Sequence, residues 1–139
     1  LLKHRLKTNG IELIFENRDI DIYGVKNELE QAILNVINNA IDALIDNGIE
    51  NRWIKLDSEI IEDKISIKIS DNAGGIPQNI VNDIFKPYVS TKGDKGTGIG
   101  LYMSRLIIEE SFGGKIRVEN GDKGASFIIE IPKGVDSAQ

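Results

Sequence analysis

The sequence predicts an α+β fold, a two-layer sandwich in which a mixed, mostly antiparallel sheet of about five strands is covered by about three helices. Three observations predict it. Apolar residues recur at three- and four-residue spacing between residues 27 and 44, which indicates a long amphipathic helix. They alternate with polar residues in ISIKIS at 65–70, and Asn120-Gly121 marks a hairpin between two strand-like segments.

The remaining elements follow in chain order. Residues 1–8 are typical of the end of a helix that begins earlier, and Gly48 is the expected end of the long helix. We expect strands at 11–16, 20–23, 53–58, 65–70, 116–119 and 126–131. We expect a short helix at 78–85, a mobile loop at 86–96 and a helix at 97–112 that Gly113-Gly114 ends. The expected organisation is a helical tail or linker at 1–8, one domain at 9–134 and a C-terminal tail at 135–139.

Composition limits the classes of function. The 139 residues, 40% hydrophobic and 28% charged, fit one globular domain, and the formal net charge of −5 argues against nucleic-acid binding. No apolar run approaches the ~20 residues of a membrane-spanning helix. The absence of Cys excludes disulfides and is compatible with a cytoplasmic chain. The only Met is Met103, so we expect a piece of a longer protein, whose missing part could anchor it to a membrane.

The long helix carries Asn35, Asn39 and Asp42, which lie on one stripe because they are four and three residues apart. Asn is a mediocre helix former, so the presence of these residues inside a long helix requires an explanation. On spacing alone, an amide-rich polar helix face is the favoured explanation. The alternative is that an amide oxygen, first of all that of Asn39, ligates a hard cation such as Mg²⁺.

Asp71 follows the apolar strand at 65–70 and precedes Gly74-Gly75. A carboxylate delivered by a buried strand can accept a hydrogen bond from an exocyclic amine, and glycine lets a flat ring approach the backbone. An ordinary strand-to-loop turn is the simpler explanation of Asp71 taken alone.

A glycine-rich segment, GTGIGL at 96–101, opens the last helix, and free amides at a helix start bind phosphate. It is neither a P-loop nor a dinucleotide fingerprint, since Leu101 stands where the third Gly of the fingerprint would be. The preceding loop carries Lys86, Lys92 and Lys95, a cationic patch suited to a polyphosphate, although a solvated loop explains it too. Four features thus follow one another along the chain: a candidate metal ligand on the long helix, a candidate base-recognising carboxylate, a lid-like loop and a phosphate-binding helix start. Together they indicate one ligand, Mg-ATP.

With these motifs, the chain resembles the ATP-binding catalytic domain of a bacterial sensor histidine kinase, of the GHKL superfamily with the Bergerat fold. ILNVINNAIDAL resembles the N box, DNAGGIP the G1 box, IFKPYVSTK the F box and GTGIGL the G2 box. The resemblance implies that Asn39 ligates Mg²⁺, supported by Asn35, and that Asp71 binds the adenine amino group. It further implies that Gly75 and Ile76 shape the base pocket. The phosphates would meet the G2-box residues Gly96, Thr97, Gly98, Gly100 and Leu101.

Several positions depart from the common pattern of that family. Asp42 stands where a phosphate-touching Lys is frequent, which shifts cationic work to Lys92, and Ala43 replaces an adenine-stacking aromatic residue. Ala73 replaces a Gly and requires that its φ not be positive. Asn35 stands where the ATPases of the superfamily usually have a Glu, and an amide cannot be a general base, so we expect slow intrinsic hydrolysis.

The resemblance implies that the γ-phosphoryl group passes to a histidine on a separate dimerisation domain, and later to a response regulator. His4 lies between Lys3 and Arg5, with no carboxylate beside it, so we interpret it as a linker histidine. The full-length protein is then expected to be a homodimer. This chain, a candidate monomer, is expected to bind ATP without completing autophosphorylation. Two alternatives stay open: a protein-serine kinase that inhibits a sigma factor, and a nucleotide-gated interaction module without catalysis.

Overall fold

Five strands form one mixed sheet in the part of the chain that the structure, a computed structural model, describes: residues 2–21, 25–88 and 99–133. They are β1 (Glu12–Arg18), β2 (Trp53–Ile61), β3 (Lys64–Asp71), β4 (Lys115–Asn120) and β5 (Ala125–Pro132), in the spatial order β1-β2-β3-β5-β4. β1 and β2 run parallel, and the other neighbouring strands run antiparallel. The predicted mixed, mostly antiparallel sheet is therefore confirmed.

The helices of the described residues are α1 (Leu2–Thr8), α2 (Asn27–Asp46) and α3 (Gly100–Leu106), and α3 continues as a π-helical turn at Ile107–Ser111. α2 is long and amphipathic as predicted, and Gly48, with φ of +59°, lies just beyond its end. The stripe of α2 that meets the sheet is fully or almost fully buried: Leu29, Ala32, Ile33, Val36, Ile37, Ala40, Ile41 and Leu44.

The sheet presents its apolar side chains to these helices because they alternate along each strand. In β3, Ile65, Ile67 and Ile69 are all at most 1% exposed, as the alternation in ISIKIS predicts. Asp71 is the next residue of the same inward series, and it is buried as well. The strand pattern that builds the core thus delivers a carboxylate to the inner side of the sheet at the end of β3.

Two predictions are wrong at the residues that the structure describes. In the strand predicted at 20–23, Ile20 and Asp21 belong to no strand; instead β1 continues to Arg18, and its register against β2 shifts between Phe15 and Arg18. The Ser58 hydroxyl accepts a hydrogen bond from the Ile20 N–H at 3.1 Å, and such side-chain contacts replace strand pairing there. Residues 22 and 23 of that prediction lie outside the described residues.

The other error is the short helix at 78–85, which is a series of hydrogen-bonded turns anchored by buried Ile84 and by Phe85, whose ring meets Phe127 edge-on. The helix predicted at 97–112 begins at Gly100, and its last turn is π-helical. Of the predicted loop at 86–96, only residues 86–88 are described.

Candidate functional site

Asp71 is an oriented, buried carboxylate at the end of β3. Its side chain lies on the helix side of the sheet, and the residue is 5% exposed. Oδ1 accepts hydrogen bonds from the backbone N–H groups of Ala73, at 3.0 Å, and Ala125, at 3.3 Å. Within the described ranges, Oδ2 accepts none. One oxygen therefore fixes the carboxylate, and the other is available to a ligand.

Burial raises the pKa of Asp71 above its ordinary 3.8, because desolvation disfavours the charged form, and the two backbone hydrogen bonds oppose that rise. A carboxylate held this way is poorly hydrated. It gains from a ligand that donates a hydrogen bond to it.

The turn after Asp71 is built on two glycines with left-handed backbone, Gly74 at φ +96° and Gly75 at φ +87°. The Gly74 N–H donates to the Lys123 carbonyl at 2.9 Å. Asn120, the last residue of β4, bonds both backbone groups of Ile76, each at 2.9 Å. The turn and Ile76 are thus attached to the hairpin between β4 and β5. Ala73 avoids positive φ, as its replacement of a glycine requires.

Gly124, in the same hairpin, lies directly against Asp71. A Cβ built on Gly124 would be 2.1 Å from the Asp71 carbonyl oxygen and 2.7 Å from its Oδ1. Only glycine allows this approach, and the approach brings the Ala125 N–H to the carboxylate.

α2 links the Asp71 end of the site to the start of α3. At its C-terminal end, the Asn47 amide donates to the Ala73 carbonyl at 2.8 Å. Three turns earlier, Asn35 donates to the Gly100 carbonyl at 3.3 Å and accepts from Gln31 at 2.9 Å. Asn39 lies between these contacts; it is half-buried, and its side-chain amide has no hydrogen-bond partner in the described residues. Asn39 is therefore free to bind a ligand or cation.

α3 is fixed to α2 by the Ser104 hydroxyl, which is fully buried and donates to the Ala32 carbonyl at 2.9 Å. Leu101 is buried in the first turn of α3. A Cβ on Gly100 would meet no atom within 4 Å, so there is open space beside this first turn.

The predicted site residues thus fall into three groups. Asp71, Gly75 and Ile76 lie together at the end of β3, and Asn35, Asn39, Gly100 and Leu101 lie on α2 and the start of α3. The third group, Lys92, Gly96, Thr97 and Gly98, lies outside the described residues, as does Lys95. His4 is on the exposed side of α1, with Nε2 3.4 Å from the Thr8 hydroxyl oxygen.

Sequence reasoning missed the contacts made across the fold. Arg5 of α1 forms an ion pair with Asp42 and donates to Asn38 Oδ1 at 2.7 Å. Asn120 was recognised only as half of a hairpin signal, and Asn47 was not identified at all. No local pattern could reveal them, because their partners are 26 to 44 residues away in the chain.

Among residues 2–21, 25–88 and 99–133, no three or more His, Cys, Asp or Glu side chains form a group that could hold a metal ion. In the same ranges, no helix is both long and apolar enough to cross a membrane.

Known proteins are similar to this chain in sequence and in fold. Residues 24–135 match the family model of histidine kinase-, DNA gyrase B-, and HSP90-like ATPases. Sporulation kinase A of Bacillus subtilis is 35% identical over 96% of this chain and 22% of its own length. The C4-dicarboxylate transport sensor protein DctB of Rhizobium meliloti is 30% identical over 96% of this chain and 21% of its own. The chain thus spans about a fifth of the length of these relatives.

The solved structures include the nucleotide-free catalytic domain of histidine kinase ThkA, with a TM-score of 0.79 and 34% identity over 95% of this chain and 85% of that one. Both the family match and this likeness cover most of the chain, and the likeness extends to the fold. The chain therefore belongs to the histidine kinase-, DNA gyrase B-, and HSP90-like ATPases, as an ATP-binding domain of the histidine-kinase type.

Proposed function

We propose that this chain is the catalytic domain of a two-component sensor histidine kinase, which binds Mg-ATP and donates the γ-phosphoryl group to a histidine on a separate dimerisation domain. One observation carries the proposal. The buried carboxylate of Asp71 has one oxygen fixed by two backbone amides, and it lies at one end of α2. The middle of α2 presents the amide of Asn39, which has no hydrogen-bond partner among the described residues.

Adenine recognition falls to the end of β3. The amino group of adenine donates to Asp71 Oδ2, the oxygen with no partner in the described residues. Gly75 and Ile76 supply backbone against the edge of the ring, since the hydrogen bonds of Asn120 hold Ile76 in place. Ala43 is half-buried and presents only a methyl group, which leaves this pocket aliphatic.

The phosphates extend along α2 toward α3. Asn39 is the proposed Mg²⁺ ligand, because its amide has no hydrogen-bond partner in the part of the chain that the structure describes, and Mg²⁺ prefers oxygen ligands that include phosphates and water. Asn35 is proposed to support the metal or phosphates and to position the first turn of α3 through the Gly100 carbonyl. Gly100 and Leu101, together with Gly96, Thr97 and Gly98, are proposed to line the phosphates, with Lys92 as their cation.

The chemistry proposed for this site is positioning and charge neutralisation. A histidine nitrogen of the acceptor domain bonds to the γ-phosphorus, the bond to the bridging oxygen breaks, and ADP leaves with the electron pair. Asn35 cannot accept a proton from water at neutral pH, so hydrolysis by the chain alone is slow. His4 is not the acceptor, because cations flank it on both sides.

The acceptor domain, a homodimeric full-length protein and a response regulator are the proposed partners. ThkA, 29% identical over 96% of this chain, has been solved in complex with the response regulator protein TrrA. A cytoplasmic location of this domain follows from the same proposal, since response regulators and ATP are cytoplasmic.

The test is a transfer assay with γ-labelled ATP, Mg²⁺, this chain and the dimerisation domain of its parent protein, made separately. Label on that domain that is stable in base and lost in acid supports the proposal. The matched controls are a dimerisation domain without its histidine and this chain with Asp71→Asn, and both should remain unlabelled. Acid-stable label on serine would instead identify a serine kinase. Binding of the two proteins without label would identify a nucleotide-gated interaction module.

A further inference from the structure

An ion pair joins the first helix to the helix that carries Asn35 and Asn39. The Arg5 guanidinium of α1 contacts Asp42 through Nη2 and donates from Nη1 to Asn38 Oδ1 at 2.7 Å. The side chains of Arg5 and Asp42 are 35% and 26% exposed, so the pair is partly shielded from water. Leu6, the next residue of α1, is buried in the core and holds the helix in place.

Asp42 lies on the same stripe of α2 as the proposed metal ligand. It follows Asn39 by three residues, a spacing that brings Cβ atoms to about 5–6 Å from each other on a helix. A carboxylate one helical turn from the proposed metal ligand opposes the binding of a triphosphate there, because like charges repel strongly where water is partly excluded. Without the positive charge of Arg5, the carboxylate of Asp42 would weaken phosphate binding at the site beside it.

We propose that Arg5 is a positioning residue of the nucleotide site, which neutralises Asp42 and so keeps the phosphate side of α2 from repelling Mg-ATP. This inference rests on the proposed function, since it needs phosphates near Asn39. It assigns a role in nucleotide binding to the first helix, which lies outside the four sequence boxes and outside residues 24–135 of the family match. Docking of α1 and binding of phosphates are then linked, each favouring the other.

The test compares Arg5→Gln with Lys7→Gln, a matched control that removes one positive charge from the same helix. Lys7 is exposed, and neither Asp42 nor Asn38 is its partner. We expect Arg5→Gln to weaken Mg-ATP and ADP roughly three- to tenfold at low salt, and the loss to shrink at high salt. Adenosine, which has no phosphates, should bind Arg5→Gln as it binds the unchanged chain. Lys7→Gln should alter none of these affinities.

The second arm is the double variant Arg5→Gln with Asp42→Asn. It has no carboxylate left to neutralise, so Mg-ATP affinity should return to within about twofold of the unchanged chain. Isothermal calorimetry measures ATP and ADP, and amide chemical shifts in an NMR titration measure the weaker adenosine. A salt-independent loss, an equal loss for adenosine or no recovery in the double variant would overturn the inference and leave Arg5 a structural anchor of α1.

Equal Mg-ATP affinities for Arg5→Gln and Lys7→Gln would also overturn it while leaving the proposed function intact. Failure of the unchanged chain to bind Mg-ATP would instead remove the proposed function, and this inference with it. The two failures are therefore distinguishable from the same set of titrations.

Discussion

Asn120 holds the backbone of Ile76 from both sides: its Oδ1 accepts the Ile76 N–H at 2.9 Å, and its Nδ2 donates to the Ile76 carbonyl at 2.9 Å. The two residues are 44 positions apart in the chain. These two hydrogen bonds attach the end of β4 to the turn that follows β3. Because that turn contains two left-handed glycines, its own backbone preferences would not hold it in one conformation.

We expect Asn120→Ala to loosen the base pocket more than it destabilises the domain. Two exposed hydrogen bonds are lost, which should lower the free energy of unfolding by about 1 kcal/mol and ADP affinity roughly tenfold. The matched control is Asn17→Ala, since Asn17 is also exposed and also makes two side-chain hydrogen bonds, to Asp57 and Glu59. Urea unfolding and calorimetric ADP titration of both variants test this. Equal ADP losses in the two would contradict it.

Gly124→Ala should damage both the fold and the site. The added Cβ would lie 2.1 Å from the Asp71 carbonyl oxygen, so the hairpin must shift and the Ala125 N–H must move from the carboxylate. We expect a loss of about 1–3 kcal/mol in the free energy of unfolding, typical of overpacking, together with loss of nucleotide binding.

Gly121→Ala is the control, in the same hairpin. There the nearest atom to an added Cβ is 3.7 Å away, an ordinary contact, and φ is not in the left-handed region. The thermal unfolding midpoint of Gly124→Ala should therefore lie clearly below that of Gly121→Ala. Equal midpoints for the two variants would contradict this prediction.

The helices and strands that could be predicted from the sequence are those whose apolar residues recur at a regular local spacing. One example is the helical spacing of apolar residues from Leu29 to Leu44, and another is the alternation through Ile65, Ile67 and Ile69. Each pattern indicates burial on one face, so it predicts both the type of element and the side that faces the core. Asp71 could be predicted as a candidate for the same reason, since it continues the inward series of β3.

What could not be predicted depends on partners distant in sequence. Ser58 accepts the Ile20 N–H from 38 residues away, and this side-chain contact takes the place of the strand pairing expected for Ile20. The ion pair of Arg5 with Asp42 spans 37 residues and leaves no periodic signal in either segment. Each of these contacts joins two segments that are distant in the chain, and neither segment encodes it alone.

Asp71→Asn should separate recognition from folding. An amide placed like the carboxylate keeps an oxygen that accepts from Ala73 and Ala125, but it presents an NH₂ group where Oδ2 was. That donor faces the amino group of adenine, so we expect ADP affinity to fall roughly ten- to a hundredfold, with little change in thermal stability. Asp71→Ala, which loses the acceptor as well, is the comparison and should be clearly less stable. An unfolded Asp71→Asn variant would show that the carboxylate is structural.

The raised pKa of Asp71 predicts a pH dependence with a definite sign. Desolvation raises this pKa above 3.8, so between 3.8 and the raised value the folded chain binds more protons than the unfolded chain. The free energy of unfolding contributed by Asp71 is therefore fully present below pH 3.8 and falls as pH rises through the raised pKa. The Asn variant cannot ionise and lacks this loss.

The free energy of unfolding of Asp71→Asn, relative to that of the unchanged chain, should accordingly rise from about pH 3.5 to about pH 7. Urea unfolding of both proteins measures this difference. ADP affinity of the unchanged chain should move the other way and increase with pH, since the amino group of adenine needs the carboxylate as acceptor. A stability difference that stays constant, or falls, over that range would contradict the assigned direction.

Asn39→Ala should remove the dependence of ATP binding on Mg²⁺. Asn39 is half-buried in the middle of α2, and its amide is unoccupied in the described residues, so ligation displaces no existing hydrogen bond. Asn35 differs, because Gln31 and Gly100 occupy its amide on both sides. We therefore expect Asn39→Ala to bind ATP with the same affinity with and without Mg²⁺. Gln31→Ala, an amide removed from an exposed position of the same helix, should retain the Mg²⁺ dependence. Calorimetric titration with ATP, in Mg²⁺ and in EDTA, compares the unchanged chain with the two variants. An unchanged Mg²⁺ effect in Asn39→Ala would transfer the ligand role to Asn35. In that case Gln31 would have to release its hydrogen bond to the Asn35 oxygen.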